Sequence, residues 1–251
     1  MVELAYGDDP SEKLDVFPTD AAAHASGAPV LVYLHGGYWR ALDKRDQSFV
    51  AAPFVDAGAM VVVPNYALCP AVTIEHIALQ LVAALAWVYR HAAEHGGDRE
   101  RIVVAGHSAG GHLAAMLLAC DWPAVGPDLP RDLVAGALAI SGLFELEPLR
   151  HAPFLAPDLG LTEASAARLS PALMQAPRGP LVTSVGAKES EEFVRQSKLI
   201  GEVWGPSTVI GAEVVPGRHH MDVLHELADP VSRTHQWALR LLGLPHALPG
   251  G

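Results

Sequence analysis

The sequence predicts an α/β fold in which a mostly parallel central sheet is covered by helices on both faces. Short runs rich in β-branched residues are apolar almost without interruption, which is typical of strands buried on both faces of a parallel sheet. Helical patterns separate these runs, and regular alternation of strand and helix indicates a parallel sheet. The chain has 251 residues and is 50% hydrophobic, which suffices for a sizeable core.

The predicted strands are short apolar segments that end in small or polar residues. Such segments are the sequence signal for buried strands. Four are strong and two are weaker: the strong ones span 30–37, 59–66, 101–108 and 180–187, and the weaker ones span 133–142 and 208–217. Because neighbouring parallel strands end at the same edge of a sheet, residues just after these segments are expected to lie close together.

The predicted helices have apolar residues at steps of three and four. In the first helix these residues are Ile74, Ile77, Leu81, Leu85 and Val88, and Thr73 is placed to cap it. Three further helices are predicted; they span 111–120, 190–205 and 229–243. The helix predicted over 111–120 is apolar on all its sides, as expected for a buried helix.

Segment 144–178 interrupts this alternation. It contains five prolines and no strong strand signal, although its stretch 161–171 indicates one helix that Pro171 ends. We therefore predict a single domain over 1–251 in which 144–178 is a small excursion that forms a cap or lid.

Composition excludes several classes of function. The net charge is −11, which gives no basic surface for nucleic acid or for an anionic membrane. The two cysteines are too few for a disulfide framework, and the N-terminus lacks the pattern of a signal peptide. No apolar run is long enough to span a membrane. We expect a cytoplasmic protein that acts on a small molecule and needs no cofactor. A homodimer is compatible with the sequence, which does not fix the oligomeric state.

The stretch Gly106-His107-Ser108-Ala109-Gly110 has the G-x-S-x-G pattern. A predicted strand precedes it and an apolar helix follows it, which is the setting of a sharp turn that exposes a nucleophilic serine. Only small residues fit around such a turn, because larger side chains would collide with the strand or the helix. The alternative is a tight structural turn that holds an incidental serine.

A serine hydroxyl needs a base, and the base needs an acid that orients it. In this arrangement the chain order is serine, acid, histidine. Glu189 lies in the loop that follows a strand, whereas Glu191 and Glu192 lie in the first turn of a helix, where the dipole alone favours acids. We therefore favour Glu189. Asp222 follows the histidine candidates too closely to orient one of them.

The histidine is expected in a loop after the last strand, where the sequence offers both His219 and His220. His91 and His95, four residues apart on a helix, have the spacing of two metal ligands. No third ligand is near them in sequence, so no metal site is predicted.

The sequence His35-Gly36-Gly37 follows an early strand, and its glycines let the backbone approach a ligand closely. We predict that the N–H groups of Gly36 and Gly37 form an oxyanion hole together with that of Ala109. The aromatic residues Tyr38, Trp39 and Phe144, with Phe154 as a further contact, are predicted to line the substrate pocket. The alternative is that these aromatics belong to the ordinary core.

The motifs together resemble the kynurenine formamidase group of the α/β-hydrolase fold, within the lipase and esterase superfamily. They are HGGYW at 35–39, NYALCPAVTIEHI at 65–77, GHSAGG at 106–111, ISGLFELEPL, ESEEFVRQS and HMDV. The resemblance implies that Ser108 is the nucleophile and Glu189 the acid, although animal members usually have aspartate there. It also implies that His220 rather than His219 is the base, since the family has H-F-D where this chain has His220-Met221-Asp222.

The sequence is therefore compatible with three hypotheses about function. The first is a serine hydrolase that acts on a small aryl formamide, since the resemblance implies hydrolysis of N-formyl-kynurenine to kynurenine and formate. The second is a carboxylesterase or thioesterase for small acyl groups that uses the same residues. The third is a binding module on a hydrolase fold, which is disfavoured because such modules usually lose the serine or the histidine and this chain keeps both.

Overall fold

A computed structural model, which describes residues 1–19 and 27–248, confirms the α/β-hydrolase fold with a mostly parallel sheet. Within these residues eight strands form one sheet in the order β1-β2-β4-β3-β5-β6-β7-β8. Strands β3 to β8 are parallel, whereas β2 runs antiparallel to both of its neighbours. The strands are β1 (Val2–Ala5), β2 (Lys13–Phe17), β3 (Ala28–Leu34), β4 (Met60–Pro64), β5 (Gly97–His107), β6 (Val134–Ile140), β7 (Leu181–Gly186) and β8 (Val209–Val215).

Helices connect the parallel strands, as the apolar spacing predicts. In the first predicted helix the Thr73 side chain accepts a hydrogen bond from the backbone N–H of His76, so the predicted cap is present. The helices are α1 (Ala51–Asp56), α2 (Ile74–His91), α3 (Ala109–Leu118), α4 (Trp122–Val125), α5 (Ala156–Leu159), α6 (Glu163–Arg168), α7 (Glu191–Trp204), α8 (His225–Ala228) and α9 (Arg233–Leu242). None of the helices in the described part of the chain is both long and apolar enough to cross a membrane.

Burial along the strands follows their place in the sheet. Strands β3, β4 and β7 are buried at every residue, as their uninterrupted apolar runs predict. Strand β8 lies at the edge and alternates between half-buried and exposed residues, which explains its weaker sequence signal. The sequence reading missed β1 and β2, because these short strands carry charged residues and lack an uninterrupted apolar run.

The segment 144–178 holds only short helical pieces between β6 and β7. One of them is α6, which begins after Thr162, whose side chain accepts a hydrogen bond from Ser165. This helix ends at Arg168, so it is shorter than the predicted helix over 161–171.

The parallel strands bring their carboxyl ends to one edge of the sheet. The G-x-S-x-G turn follows β5, the acidic loop follows β7 and the histidine loop follows β8. Gly36 and Gly37 come directly after β3, which lies next to β5. Residues far apart in the sequence therefore meet at this edge, where ligands of open α/β sheets usually bind.

A buried lysine connects the antiparallel hairpin β1–β2 to the segment that follows the glycine pair. Lys44 Nζ lies 2.6 Å from Asp15 Oδ1 and 2.7 Å from Glu3 Oε2, and only 4% of the Lys44 side chain is exposed. The backbone N–H of Lys44 also donates to Asn65 just after β4. These bonds fix the outer end of the loop that carries Gly36 and Gly37.

Replacement of Lys44 by Met is expected to lower the free energy of unfolding by about 3 kcal/mol, because it leaves the carboxylate of Asp15 buried without a partner. The double variant Lys44→Met/Asp15→Leu should recover most of this loss. Urea denaturation measures both. Arg131→Met, which removes a solvent-exposed ion pair with Asp121, is the control and should change stability far less. An equal loss in Lys44→Met and Arg131→Met would contradict this account.

Candidate active site

Ser108 occupies a strained turn between β5 and α3. Its backbone has φ 57° and ψ −117°, a left-handed conformation that costs a residue with a Cβ about 1–3 kcal/mol. Its N–H donates to the carbonyl oxygen of Ile140 at 2.8 Å, which ties the turn to the end of β6. The turn places the Ser108 side chain at the carboxyl edge of the sheet, in front of the first turn of α3.

The glycines of the pentapeptide are required by close backbone contacts. A Cβ on Gly106 would lie 2.2 Å from the carbonyl oxygen of Gly110, and one on Gly110 would lie 2.1 Å from that of Leu34. No real Cβ approaches an oxygen so closely. The strand, the turn and the first turn of α3 therefore pack against each other without room for a side chain.

His220 lies within hydrogen-bond distance of both other members of the predicted triad. Its Nε2 is 3.0 Å from Ser108 Oγ, and its Nδ1 is 2.7 Å from Glu189 Oε2. The neighbouring His219 points elsewhere: more than half of its side chain is exposed, and it lies beside Asp222. Of the two histidine candidates, the structure brings only His220 to Ser108.

The Glu189 carboxylate is fully buried and accepts several hydrogen bonds. Oε1 accepts from the Ser141 hydroxyl at 2.5 Å and from the Gly186 N–H at 2.7 Å, while Oε2 faces His220. Burial acts to raise the pKa of Glu189, but the bonds from His220, Ser141 and Gly186 outweigh it and hold the pKa below its usual value. Glu189 therefore stays ionised at neutral pH, with one of its oxygens 2.7 Å from His220 Nδ1.

The other acidic candidates have different partners. Glu192, in the first turn of α7, accepts hydrogen bonds from Arg195 and Gln196. Asp222 accepts from the backbone N–H of His219 within its own loop. Neither carboxylate forms a hydrogen bond with the imidazole of His220.

Ser141 is a site residue that the sequence reading did not identify. It follows β6, is buried, and has φ 50°, a conformation that residues other than glycine rarely adopt. Its motif Ile140-Ser141-Gly142 resembles an ordinary end of a strand. Its contact with Glu189 joins residues 48 positions apart, so no local pattern could have revealed it.

The three residues predicted for the oxyanion hole lie around the turn. Ala109 is the first residue of α3, so its N–H has no partner within the helix. Gly36 packs so tightly that a Cβ on it would lie 2.8 Å from the His107 carbonyl oxygen, and Gly37 has φ 95°. Within residues 1–19 and 27–248, none of the hydrogen bonds uses the N–H groups of Gly36, Gly37 or Ala109. These N–H groups remain the predicted donors of the oxyanion hole.

Two of the three residues predicted to line the substrate pocket are fully buried. Trp39 and Phe144 have no exposed surface; the Trp39 ring packs edge-on against His112, and the Phe144 N–H donates to Gln196. Their burial favours the alternative, that these two aromatics belong to the core, and their contact with a substrate stays a prediction. The HGGYW motif alone does not indicate which aromatic side chain turns inward. In the structure the backbones of Tyr38 and Trp39 both have positive φ angles, so the backbone conformation does not distinguish them either.

Tyr38 is the pocket residue that remains partly accessible. Its ring is edge-to-face with Phe154, at a centroid distance of 6.2 Å, and 62% of Phe154 is exposed. Burial, followed by the negative charge of Glu189, raises the pKa of the Tyr38 hydroxyl. Tyr38 therefore contacts the exposed aromatic side chain of segment 144–178 and is close enough to Glu189 to be affected by its charge.

The described part of the chain contains no group of three or more His, Cys, Asp or Glu side chains that could hold a metal ion. His91 contacts Glu94 and stacks on Trp87, and His95 stacks on the same indole.

Comparisons with known proteins agree with this architecture. The family model BD-FAE matches residues 14–121. The kynurenine formamidase of Salmo salar is 30% identical to this chain over 97% of the chain and 82% of that protein. The kynurenine formamidase of Danio rerio is 28% identical over the same shares.

Solved structures with the same fold are described as hydrolases. The crystal structure of a proposed thioesterase from Silicibacter sp. TM1040 is 32% identical, with a TM-score of 0.78 over 93% of this chain and 82% of that chain. Esterase B from Lactobacillus rhamnosis is 19% identical, with a TM-score of 0.77 over 96% of this chain and 84% of that chain. The second likeness concerns the fold alone.

Replacement of Ser141 by Ala is expected to lower the free energy of unfolding at pH 7 by about 2 kcal/mol, because a buried carboxylate loses a donor. The stability that comes from a lowered pKa is present above the pKa of the unfolded chain, about 4.3, and is lost as the pH falls through the folded value. The deficit of the variant should therefore stay constant from pH 7 to about pH 5 and shrink as the pH falls below about 4.3. Urea denaturation at several pH values measures this.

Ser197→Ala is the control for this experiment. Ser197 is also buried, but its hydroxyl has no hydrogen-bond partner among the described residues. Its replacement should have little effect at any pH. A deficit in Ser141→Ala that is constant with pH would mean that Ser141 does not act on the charge of Glu189.

Proposed function

Because the chain belongs to the kynurenine formamidase family of α/β-hydrolases, we propose that it is a serine hydrolase that cleaves an aryl formamide, with N-formyl-kynurenine as its substrate. The observation that carries the mechanism is the hydrogen-bonded series Ser108–His220–Glu189. Hydrolysis of small substrates is common to the named relatives. The serine mechanism and the formamide substrate are the proposal.

The first step forms a formyl-enzyme. Ser108 Oγ attacks the formyl carbon while His220 Nε2 takes its proton, and Glu189 stabilises the resulting imidazolium through Nδ1. The N–H groups of Gly36, Gly37 and Ala109 stabilise the negative charge on the formyl oxygen. His220 then returns the proton to the aryl nitrogen, so the C–N bond breaks and the aryl amine leaves.

The second step hydrolyses this ester by the same groups. His220 removes a proton from a water molecule, whose oxygen attacks the formyl carbon. When the tetrahedral intermediate collapses, Ser108 Oγ regains its proton from His220 and formate leaves. Because the imidazole alternates between base and acid, it must be neutral at the start of each step.

Support for the aryl formamide comes from the named relatives and from the aromatic side chains beside the turn. Three relatives that span 90% or more of this chain are named kynurenine formamidases. Tyr38 follows the glycine pair and lies edge-to-face with the exposed Phe154, so these two rings could contact an aryl leaving group. A formyl group carries only hydrogen on its carbonyl carbon, so the acyl side of the pocket can be narrow.

A carboxylesterase or thioesterase is the second candidate. It is favoured by the 32% identity to the proposed thioesterase of Silicibacter and by the esterases LipQ and LipC of Mycobacterium tuberculosis, which match about half of the chain. The same catalytic groups serve an ester, since only the leaving atom changes. Discrimination between the candidates depends on the acyl pocket and not on the triad.

Ser108→Ala is expected to reduce kcat by about 10³- to 10⁶-fold without loss of folding. His220→Ala should cause a similar loss, and Glu189→Gln a loss of about 10²- to 10⁴-fold, because the acid orients the base without reacting itself. Steady-state kinetics on p-nitrophenyl acetate, with circular dichroism to check folding, measures all three. His219→Ala is the control and should keep nearly full activity. Activity of Ser108→Ala within tenfold of the wild type would exclude it as the nucleophile.

The formamidase proposal predicts a steep preference for the smallest acyl group. On one aryl leaving group, kcat/KM should fall by about 10- to 100-fold from formyl to acetyl and again to butyryl, since each larger group overpacks a narrow pocket. N-formyl-kynurenine should be a better substrate than p-nitrophenyl acetate. Equal or higher activity on butyryl esters or thioesters would instead assign the protein as an esterase or a thioesterase.

A further inference from the structure

The imidazole of His220 contacts two rings that the proposed mechanism does not use. Phe193, in α7, stacks on it with a centroid distance of 4.2 Å and an angle of 27° between the planes. His107, the residue before Ser108, lies with its ring centroid 4.7 Å away. His107 also forms a hydrogen bond, because its Nε2 is 2.9 Å from the carbonyl oxygen of His220.

The proton on His107 can be assigned from this contact. A carbonyl oxygen only accepts, so the Nε2 of His107 must be the donor. Burial, followed by the neighbouring His220, lowers the pKa of His107 to about 3, although Glu189 and the hydrogen bond to the carbonyl act in the opposite direction. The groups that influence its charge are His220, Glu189 and His225. At neutral pH His107 is uncharged and carries its single proton on Nε2.

We propose that His107 is a positioning residue that holds the backbone of His220 in place for proton transfer. His107 and Ser108, which are adjacent at the end of β5, then contact His220 at two points. His107 hydrogen-bonds the backbone carbonyl of His220, and Ser108 contacts the His220 imidazole. Loss of the backbone contact lets the histidine loop move, which lengthens the distance between Nε2 and Ser108 Oγ. This inference rests on the proposed roles of Ser108 and His220, but not on the identity of the substrate.

The neutrality of His107 suits this position. When His220 takes the serine proton it becomes an imidazolium, and a second positive charge on a ring less than 5 Å away would repel it. A neutral imidazole avoids that repulsion, and the face of the Phe193 ring attracts the cation. The two rings therefore restrict the movement of His220 without opposing its protonation.

The test compares two replacements of His107 in the full chain. His107→Phe keeps a ring but removes the donor, whereas His107→Gln places an N–H near the former Nε2. For His107→Phe we expect kcat on p-nitrophenyl acetate, and the rate of inactivation by a fluorophosphonate, to fall by about 10- to 100-fold, since small displacements of a base have effects of this size. KM should change by less than about threefold. His107→Gln should recover most of both rates.

His235→Phe is the matched control. His235 is also a buried histidine that hydrogen-bonds a backbone carbonyl, that of Leu227, and stacks on a phenyl ring, that of Phe54. It lies in α9 and contacts none of the proposed catalytic residues. Its replacement should lower the melting temperature and leave kcat and the inactivation rate unchanged.

The results separate this inference from the proposed function. A kcat of His107→Phe within about threefold of the wild type, or no recovery in His107→Gln, would overturn the positioning role. An unreactive N-formyl-kynurenine would overturn the formamidase proposal but leave the effect of His107 on ester hydrolysis in place. If Ser108→Ala still reacted with the fluorophosphonate, both the nucleophile and the role of His107 would be overturned.

Discussion

The backbone conformation of Ser108 is the constraint on which the rest of the site depends. A residue with a Cβ at φ 57° is strained, so the turn persists only because the surrounding structure holds it. The hydrogen bond to Ile140 and the glycine contacts on both sides of the turn provide this support. The G-x-S-x-G turn in its turn fixes the positions of His107 and Ala109. The proposed nucleophile, a proposed oxyanion donor and the contact with His220 therefore all lie on this one turn.

The buried carboxylate of Glu189 imposes a second constraint. Ionised carboxylates are costly to bury unless every oxygen has partners, and here the partners come from three separate strand ends. Ser141 follows β6, Gly186 ends β7 and His220 follows β8. The charge therefore stabilises the site only when all three loops are in place, which couples the geometry of the acid to the assembly of the whole sheet edge.

The chain order of serine, acid and histidine after β5, β7 and β8 could be predicted from the sequence, because local patterns mark strand ends and the turn. Ser141 and His107 could not be identified from the sequence, because their roles depend on contacts between distant segments. The same limit applies to Trp39, since the sequence alone does not decide whether an aromatic residue after a glycine pair faces the core or a ligand. Hairpin β1–β2 escaped detection because its stability comes from pairing with β4 and not from its own composition.

The inward turn of Trp39 has a consequence for the pocket. Its ring packs on His112 of α3, and His112 in turn bonds the Leu169 carbonyl oxygen in segment 144–178. On the other side Arg40 donates to the Phe154 carbonyl oxygen of the same segment and pairs with Asp158. Segment 144–178 is thus attached both to the helix behind Ser108 and to the loop of Gly36 and Gly37. A movement of this segment would therefore be transmitted both to α3, which begins directly after Ser108, and to the loop that carries Gly36 and Gly37.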